Sequence, residues 1–237
     1  MSKLWFALLS IICVLTSASA SAYQLSGHFL LQGGGYVTTS GENQMINING
    51  LIGDEFNVTH HQQSNAVFGV GYLVDGLRRG HYGLDYGIDA FYLSKTKVSG
   101  TITQELLFTN LAYRYYISHL PVYLFAKGYA DLNCNHLALT VDAGIGPNFM
   151  KTMQYQDTSL DGVTLPDHAF SGHSKTVFSA MAGIGLKFMV LQQYPLELGY
   201  RYFYLGQGSL HPRTNQILNN LKTGTNTAQA LILTLSI

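Results

Sequence analysis

Two groups of residues carry the charge or nucleophilicity that chemistry needs. The first is Asp85, Asp89, Asp142 and Glu197 with Arg114, Lys187 and Arg201. Asp85 and Asp89 stand four residues apart, as do Glu197 and Arg201, so on an extended chain each pair projects to one side. Lys127 and Asp131 share that spacing and are further candidates. Inside a closed wall such groups would pair, because an unpartnered charge away from water is costly. They would then replace a hydrophobic core, with a path for protons or small ions as the alternative. The second group lies between Leu165 and Ser174, where Asp167, His168, Ser171 and His173 crowd together. A serine, an imidazole and a carboxylate make a nucleophilic set only when their geometry allows. No G-x-S-x-G elbow accompanies them, so the stretch reads as a polar loop and no catalytic residue is assigned. His60 and His61 with His168 and His173 would hold a metal only if their loops met. Adjacent histidines on an extended chain point apart, and no metal or cofactor is expected.

These residues need strands to position them. From His81 to Tyr92 the chain reads HYGLDYGIDAFY. Tyr82, Leu84, Tyr86, Ile88, Ala90 and Tyr92 fall on one side and His81, Gly83, Asp85, Gly87 and Asp89 on the other, the period of two that marks a strand. Similar segments run Tyr23–Tyr36, Asn65–Val74, Gln104–Ile117, Val122–Asp131, Leu137–Gly146, Thr176–Met189, Pro195–Gly206 and Asn226–Ile237. Such barrels need an even number of strands with long loops on one side and short turns on the other. Val37–Gln63, Phe149–Ser174 and Gln207–Thr225 read as long loops. Asp75–Gly80, Ser118–Pro121 and Leu191–Tyr194 read as short turns. The sides stay consistent if Val122–Asn148 crosses once, interrupted near Asn133–His136. The expected fold is therefore all-β, an antiparallel up-and-down transmembrane β-barrel of eight strands, with ten as the alternative.

Charged residues make up only 11% of the chain, against about 25% in a typical soluble domain. A lipid-facing wall forbids charge, so the apolar face is expected outward. Gly69, Gly71, Gly83, Gly87, Gly144, Gly146, Gly183, Gly185 and Gly199 share the polar face, as a narrow lumen requires. Tyr82, Tyr86, Tyr92, Tyr113, Tyr115, Tyr200, Tyr202 and Tyr204 would form the aromatic girdles at the bilayer surfaces.

The N-terminus reads as a signal peptide over residues 1–22: Lys3, an apolar run from Leu4 to Leu15, then small residues with cleavage after Ala20 or Ala22. The run is too short for a helical span. Ile12 before Cys13 argues against lipidation at that cysteine. Residues 23–237 form the barrel domain. Without Lys3, twelve basic residues stand against thirteen acidic ones, so no nucleic-acid partner is indicated. One cysteine, Cys134, would remain, and it can form no internal disulfide.

Gly144-Ile145-Gly146-Pro147-Asn148-Phe149-Met150, the loop Leu165 to His173 and Glu197 to Gly208 carry a resemblance. In them the chain resembles small Gram-negative outer-membrane β-barrel proteins of the OmpA-like and opacity-like superfamily, and a subgroup of surface proteins with a GIGPNFM-like segment. The resemblance implies an outer-membrane location, outer-membrane lipid around the wall, and insertion by the outer-membrane assembly machinery. Such barrels usually end in an aromatic residue, whereas this chain ends in Ile237. The expected role is non-enzymatic: upkeep of the membrane and surface contacts such as adhesion to a host or surface ligand through the long loops. A small-solute or ion channel is the alternative, and a lipid-modifying enzyme using Ser171 with His168 or His173 comes third.

Overall fold

The computed structural model describes residues 26–132, 137–190 and 194–237. Eleven strands run in the order β1 (Gly27–Thr39), β2 (Gln44–Ile46), β3 (Asp54–His60), β4 (Gln62–Arg79), β5 (Tyr82–Gln104), β6 (Phe108–Asp131), β7 (Ala138–Ser159), β8 (Phe170–Ser171), β9 (Ser174–Val190), β10 (Tyr194–Pro212) and β11 (Leu221–Ser236). Eight of them close into a ring, β1-β4-β5-β6-β7-β9-β10-β11, in which β11 pairs antiparallel with β1 and leaves no free edge. Short β2 and β3 extend the upper part of β5 (Glu55 opposite Thr103), and β8 adds to the end of β10. The signal peptide, Cys134 and the interruption at 133–136 lie outside the described residues.

The ring has the expected eight strands, but several boundaries differ from the expectation. Ser118–Pro121 is not a turn. It lies inside β6, which runs unbroken from Phe108 to Asp131. Val122–Asp131 therefore completes β6, and the next strand begins at Ala138. Proline is tolerated there because the β5–β6 pairing steps from Ala90–Val122 to Leu93–His119, leaving Pro121 with no partner on that side. The expected long loops are also shorter, since β7 continues to Ser159 and β10 to Pro212.

The wall has two storeys. On β5, outward Tyr82, Leu84, Tyr86, Ile88 and Tyr92 are all exposed. Ten residue steps of ~3.3 Å, tilted by ~40°, rise about 25 Å, the height of a lipid-facing band. Phe29, Phe68, Val70, Leu124, Ile145, Phe178, Leu198 and Leu231 continue the band around the wall. Above it β5, β6 and β7 run on as strands of 23, 24 and 22 residues, where ~9–11 suffice to span a membrane. The outer surface there is polar, with Lys97, Arg114 and Gln156, and the interior is an apolar core of Ile46, Phe56, Val98, Ile102, Leu111, Tyr113, Tyr115, Tyr155 and Phe170. Hydrocarbon outside demands apolar atoms outside; water outside reverses the demand. Tyr113 and Tyr115, expected in the outer girdle, are accordingly buried inward at 3% and 1% exposure.

Candidate functional site

Two places gather functional groups: the lumen at membrane depth and the storey above it. In the lumen, Lys127 Nζ donates to both oxygens of Glu197 at 2.8 and 2.7 Å and lies 3.6 Å from Asp142. Arg201 reaches Asp142 through Nε and Nη2 at 3.2 and 3.1 Å. Its Nη1 donates to Gln32, whose own amide nitrogen donates to Asp89 at 2.6 Å. The same Nη1 stands 3.8 Å from Asp89. Arg201 is on β10 and Asp89 on β5, four places apart on the eight-membered ring, so this chain of contacts crosses the full lumen. At the end with the short turns, Arg78 pairs with Asp85 and, at 3.0 Å, with Asp75.

Of the residues expected in this network, Asp85, Asp89, Asp142, Glu197 and Arg201 are buried in it, and Lys187 faces the lumen beside Glu197 in register. Arg114 does not belong there. It points outward above the band, where its Nε and Nη2 donate to Gln156 at 2.9 and 2.6 Å. Alternation along Gln104–Ile117 put Arg114 on the lumenal face, but Arg114 sits where the outside is water and charge is free. Gln32 and Arg78 complete the network and were missed. Gln32 carries no charge to attract notice, and Arg78 lies in a stretch read as a turn. Close approach is made possible by glycine: a Cβ at Gly71 would overlap the Asp89 carboxylate, and one at Gly183 would overlap Asp142.

Above the network the lumen is filled by rings. Phe91 from β5 and Phe203 from β10 meet with centroids 5.2 Å apart, and Tyr123 packs against both. Tyr123 Oη and Ser179 Oγ are 2.6 Å apart. Above them, buried Asn148 donates to the Leu205 carbonyl at 2.7 Å and contacts His119 Nδ1 at 3.0 Å.

The upper storey is held by its loops. Asn47 N–H donates to Asn219 Oδ1 at 2.7 Å, and Asn219 Nδ2 donates to the Met45 carbonyl at 2.9 Å. Gln44 exchanges two hydrogen bonds of 2.9 Å with the backbone of Lys222. These bonds tie the β2–β3 hairpin to Asn219 and to the start of β11. Loop 160–173 is anchored by Phe170, whose ring meets Phe56 at 5.8 Å and Tyr155 at 5.4 Å. Asp161 accepts from the Val163 and Thr164 N–H groups at 2.9 Å each and from the Ser159 and Thr164 hydroxyls at 2.7 Å each. Those bonds hold its carboxyl well below the usual range, the Thr164 hydroxyl foremost.

The Ser/His/Asp stretch does not assemble. His168 Nδ1 pairs with Asp157 at 2.6 Å, while Ser171 Oγ donates to the His211 carbonyl at 3.2 Å and the His173 ring lies against His211 at 4.0 Å. Ser171 has no imidazole acceptor among its hydrogen bonds, so the nucleophile–base contact is missing. Among the described residues no three His, Cys, Asp or Glu side chains gather to hold a metal.

At the crest the chain exposes large apolar side chains to water. Leu51 and Ile52 cap the β2–β3 hairpin, Leu106, Leu107 and Phe108 the β5–β6 turn, and Leu160, Val163 and Leu165 the loop beyond β7. The three tips are tied together. Ile52 N–H donates to Glu105 at 3.0 Å, and Leu160 N–H donates to the Asn110 carbonyl at 2.8 Å. In the turn, Glu105 and Leu106 adopt φ of 51° and 58°, a region that bulky side chains disfavour.

No protein family is matched by the sequence, and no curated protein is similar to it. Solved structures are similar in fold. The outer-membrane protein OprG from Pseudomonas aeruginosa superposes with a TM-score of 0.51 at 12% identity, over 90% of this chain and 97% of that one. Neisserial surface protein A gives 0.44 at 10% identity, over 90% and 98% of the two chains. At such identities the likeness concerns the fold, that of small outer-membrane β-barrels.

Proposed function

We propose that this chain is a non-enzymatic outer-membrane barrel whose rigid upper storey makes contacts outside the cell. The observation that carries the reading is the crest. Contiguous apolar patches in water mark interaction surfaces, and here three tips contribute to one patch. The ties among those tips pre-order it, so little conformational entropy is lost on binding. Neither the crest nor the core beneath it serves anchoring in lipid, for which the lower band suffices. The lumen favours this reading over conduction, since Phe91, Tyr123 and Phe203 occupy the cross-section above a paired charge network. The Ser171 hydroxyl, bonded to the His211 carbonyl and not to the ring of His168 or His173, favours it over hydrolysis.

The test removes the crest and leaves the core. A Leu51→Ser, Leu107→Ser, Val163→Ser, Leu165→Ser variant should insert normally, judged by heat-modifiable gel mobility. It should lose binding of expressing cells to host cells or immobilised matrix. Unchanged binding by the inserted variant would contradict the proposal.

A further inference from the structure

Beneath the crest lies a cavity of about 200 Å³ between the β2–β3 hairpin, loop 160–173 and the segment before β11. Ile46, Phe56, Ile102, Leu111 and Phe170 form its apolar wall, and Asp54 and Gln104 also line it. Asp167, Thr214 and Gln216, all exposed, mark its mouth. At ~30 Å³ per water the space equals about seven waters, room for one ring and a short chain.

Two features of this cavity point to a ligand. Tyr155 lines it at only 6% exposure, and its Oη has no hydrogen-bond partner. Buried hydroxyls are ordinarily satisfied. The second feature is uncompensated negative charge. Asp54 and Asp167 line the cavity, and Asp157 lies beside it. Among the described residues only Asp157 has an ion-pair partner, His168. Glu105 N–H donates to Asp54 at 3.2 Å, which leaves its charge without a counter-ion. The three carboxylates all act on the Tyr155 phenol and, after burial itself, push its ionisation up, so the group stays an O–H.

We infer that this cavity is a binding site for a small organic ammonium ion with an apolar body. The body fills the aromatic and aliphatic walls, the ammonium answers Asp54 and Asp167, and a polar atom of the ligand meets the Tyr155 hydroxyl. A carboxylic acid of the same shape is excluded by repulsion, and a neutral alcohol leaves both carboxylates unanswered. The site is separate from the crest contacts and does not need them.

The experiment uses the full barrel in lipid nanodiscs, which avoids detergent in the cavity. Titration with 2-phenylethylamine, followed by saturation-transfer NMR and calorimetry, should show saturable binding. 2-Phenylethanol should bind at least tenfold more weakly and 3-phenylpropionate not at all. Asp167→Asn, at the exposed rim and safe for folding, should weaken the amine at least tenfold. Asp54→Asn should do the same, and Tyr155→Phe should weaken it severalfold. Absence of saturable amine binding, equal binding of the alcohol, or an Asp167→Asn variant of unchanged affinity would overturn the inference. The serine variant of the crest should still bind the amine, so failure of either proposal is seen separately.

Discussion

Phe91 and Phe203 extend from opposite walls of the barrel and meet edge to face at its centre, 5.2 Å between ring centroids. Their strands are four places apart in a ring of eight, so the contact spans the lumen and closes it. Beneath it Arg201 sits 5.3 Å from the Phe91 ring and binds the carboxylates below. Wild-type protein in planar bilayers should therefore show no steady conductance. Steady single-channel currents that change on Arg201→Ala would show that the lumen is open.

Arg201 and Arg114 should differ sharply in what their loss costs. Arg201→Ala leaves Asp89 without a cation and Asp142 with Lys127 alone in a water-poor interior, a loss of about 3–5 kcal/mol for a broken buried pair. Arg114→Ala removes two exposed hydrogen bonds to Gln156 and should cost about 0.5 kcal/mol or less. Urea titrations of folding into lipid vesicles would measure both. Equal costs would mean that Arg201 is not the hub described.

Glycine should be required only where the network needs its space. Gly71→Ala and Gly183→Ala push a methyl group into Asp89 and Asp142, an overpacking cost of about 1–3 kcal/mol. At Gly33 an added Cβ meets nothing within 4 Å, so Gly33→Ala should fold as wild type. The folded fraction on unheated gels, with urea midpoints, decides between these outcomes.

How much of this was legible in the sequence turns on what surrounds each strand. In the lower storey, alternation from Tyr82 to Tyr92 gave the faces correctly, because lipid outside forces apolar side chains outward. The same alternation from Leu111 to Ile117 was read with the faces reversed. Period two says which residues share a face, and only the neighbouring solvent says which face is inside. Bulges hid the upper storey as well. The inward positions change from odd to even numbers at Ser94-Lys95, and from even to odd at Gln154, where φ is 54°. Positive-φ Gly206 and Gly224 accompany the same change on β10 and β11. The expected strands stop or start near these changes on β5, β10 and β11, while on β7 the expected strand stops earlier, at Gly146, and leaves Tyr155 and Asp157 in a loop. Arg114 was the available signal, since a charge so far along the strand from exposed Leu124 is better placed in water than in a filled lumen.

Loop 160–173 should depend on one ring. Phe170 is fully buried against Phe56 and Tyr155, and Phe170→Ala should cost about 3–5 kcal/mol locally. The expected result on intact cells is rapid protease cleavage within 160–173 while the membrane-embedded part stays folded. Wild-type resistance in this variant would mean that the loop is held by other contacts.

Acidity should act on the cavity with a definite sign. Burial pushes the Asp54 and Asp167 carboxyls above their ordinary range, against the Glu105 N–H bond at Asp54 and with the help of Asp157 at Asp167. An acid whose pKa is higher folded than unfolded costs stability once ionised. That cost is absent at low pH and sets in as pH rises through the shifted values. Amide exchange around Tyr155 and Phe170 should therefore slow as pH falls from neutral into the carboxylate range, after correction for intrinsic exchange rates. Correspondingly, 2-phenylethylamine should bind more tightly as pH rises through the same window, where Asp54 and Asp167 ionise while the amine stays charged. His168 on Asp157 and the neutral Tyr155 hydroxyl are the other titratable groups facing the site.

The reversal of faces between the two storeys is tested most directly by labelling intact cells with a membrane-impermeant maleimide, using single-cysteine variants in a Cys134→Ser background. Arg114→Cys should label rapidly, while Tyr115→Cys, one residue along the same strand, should label only after denaturation. Tyr86→Cys, in the lipid band, should stay unlabelled and, once tagged with a fluorophore after purification, be quenched by brominated lipid. Rapid labelling of Tyr115→Cys with a silent Arg114→Cys would contradict the account.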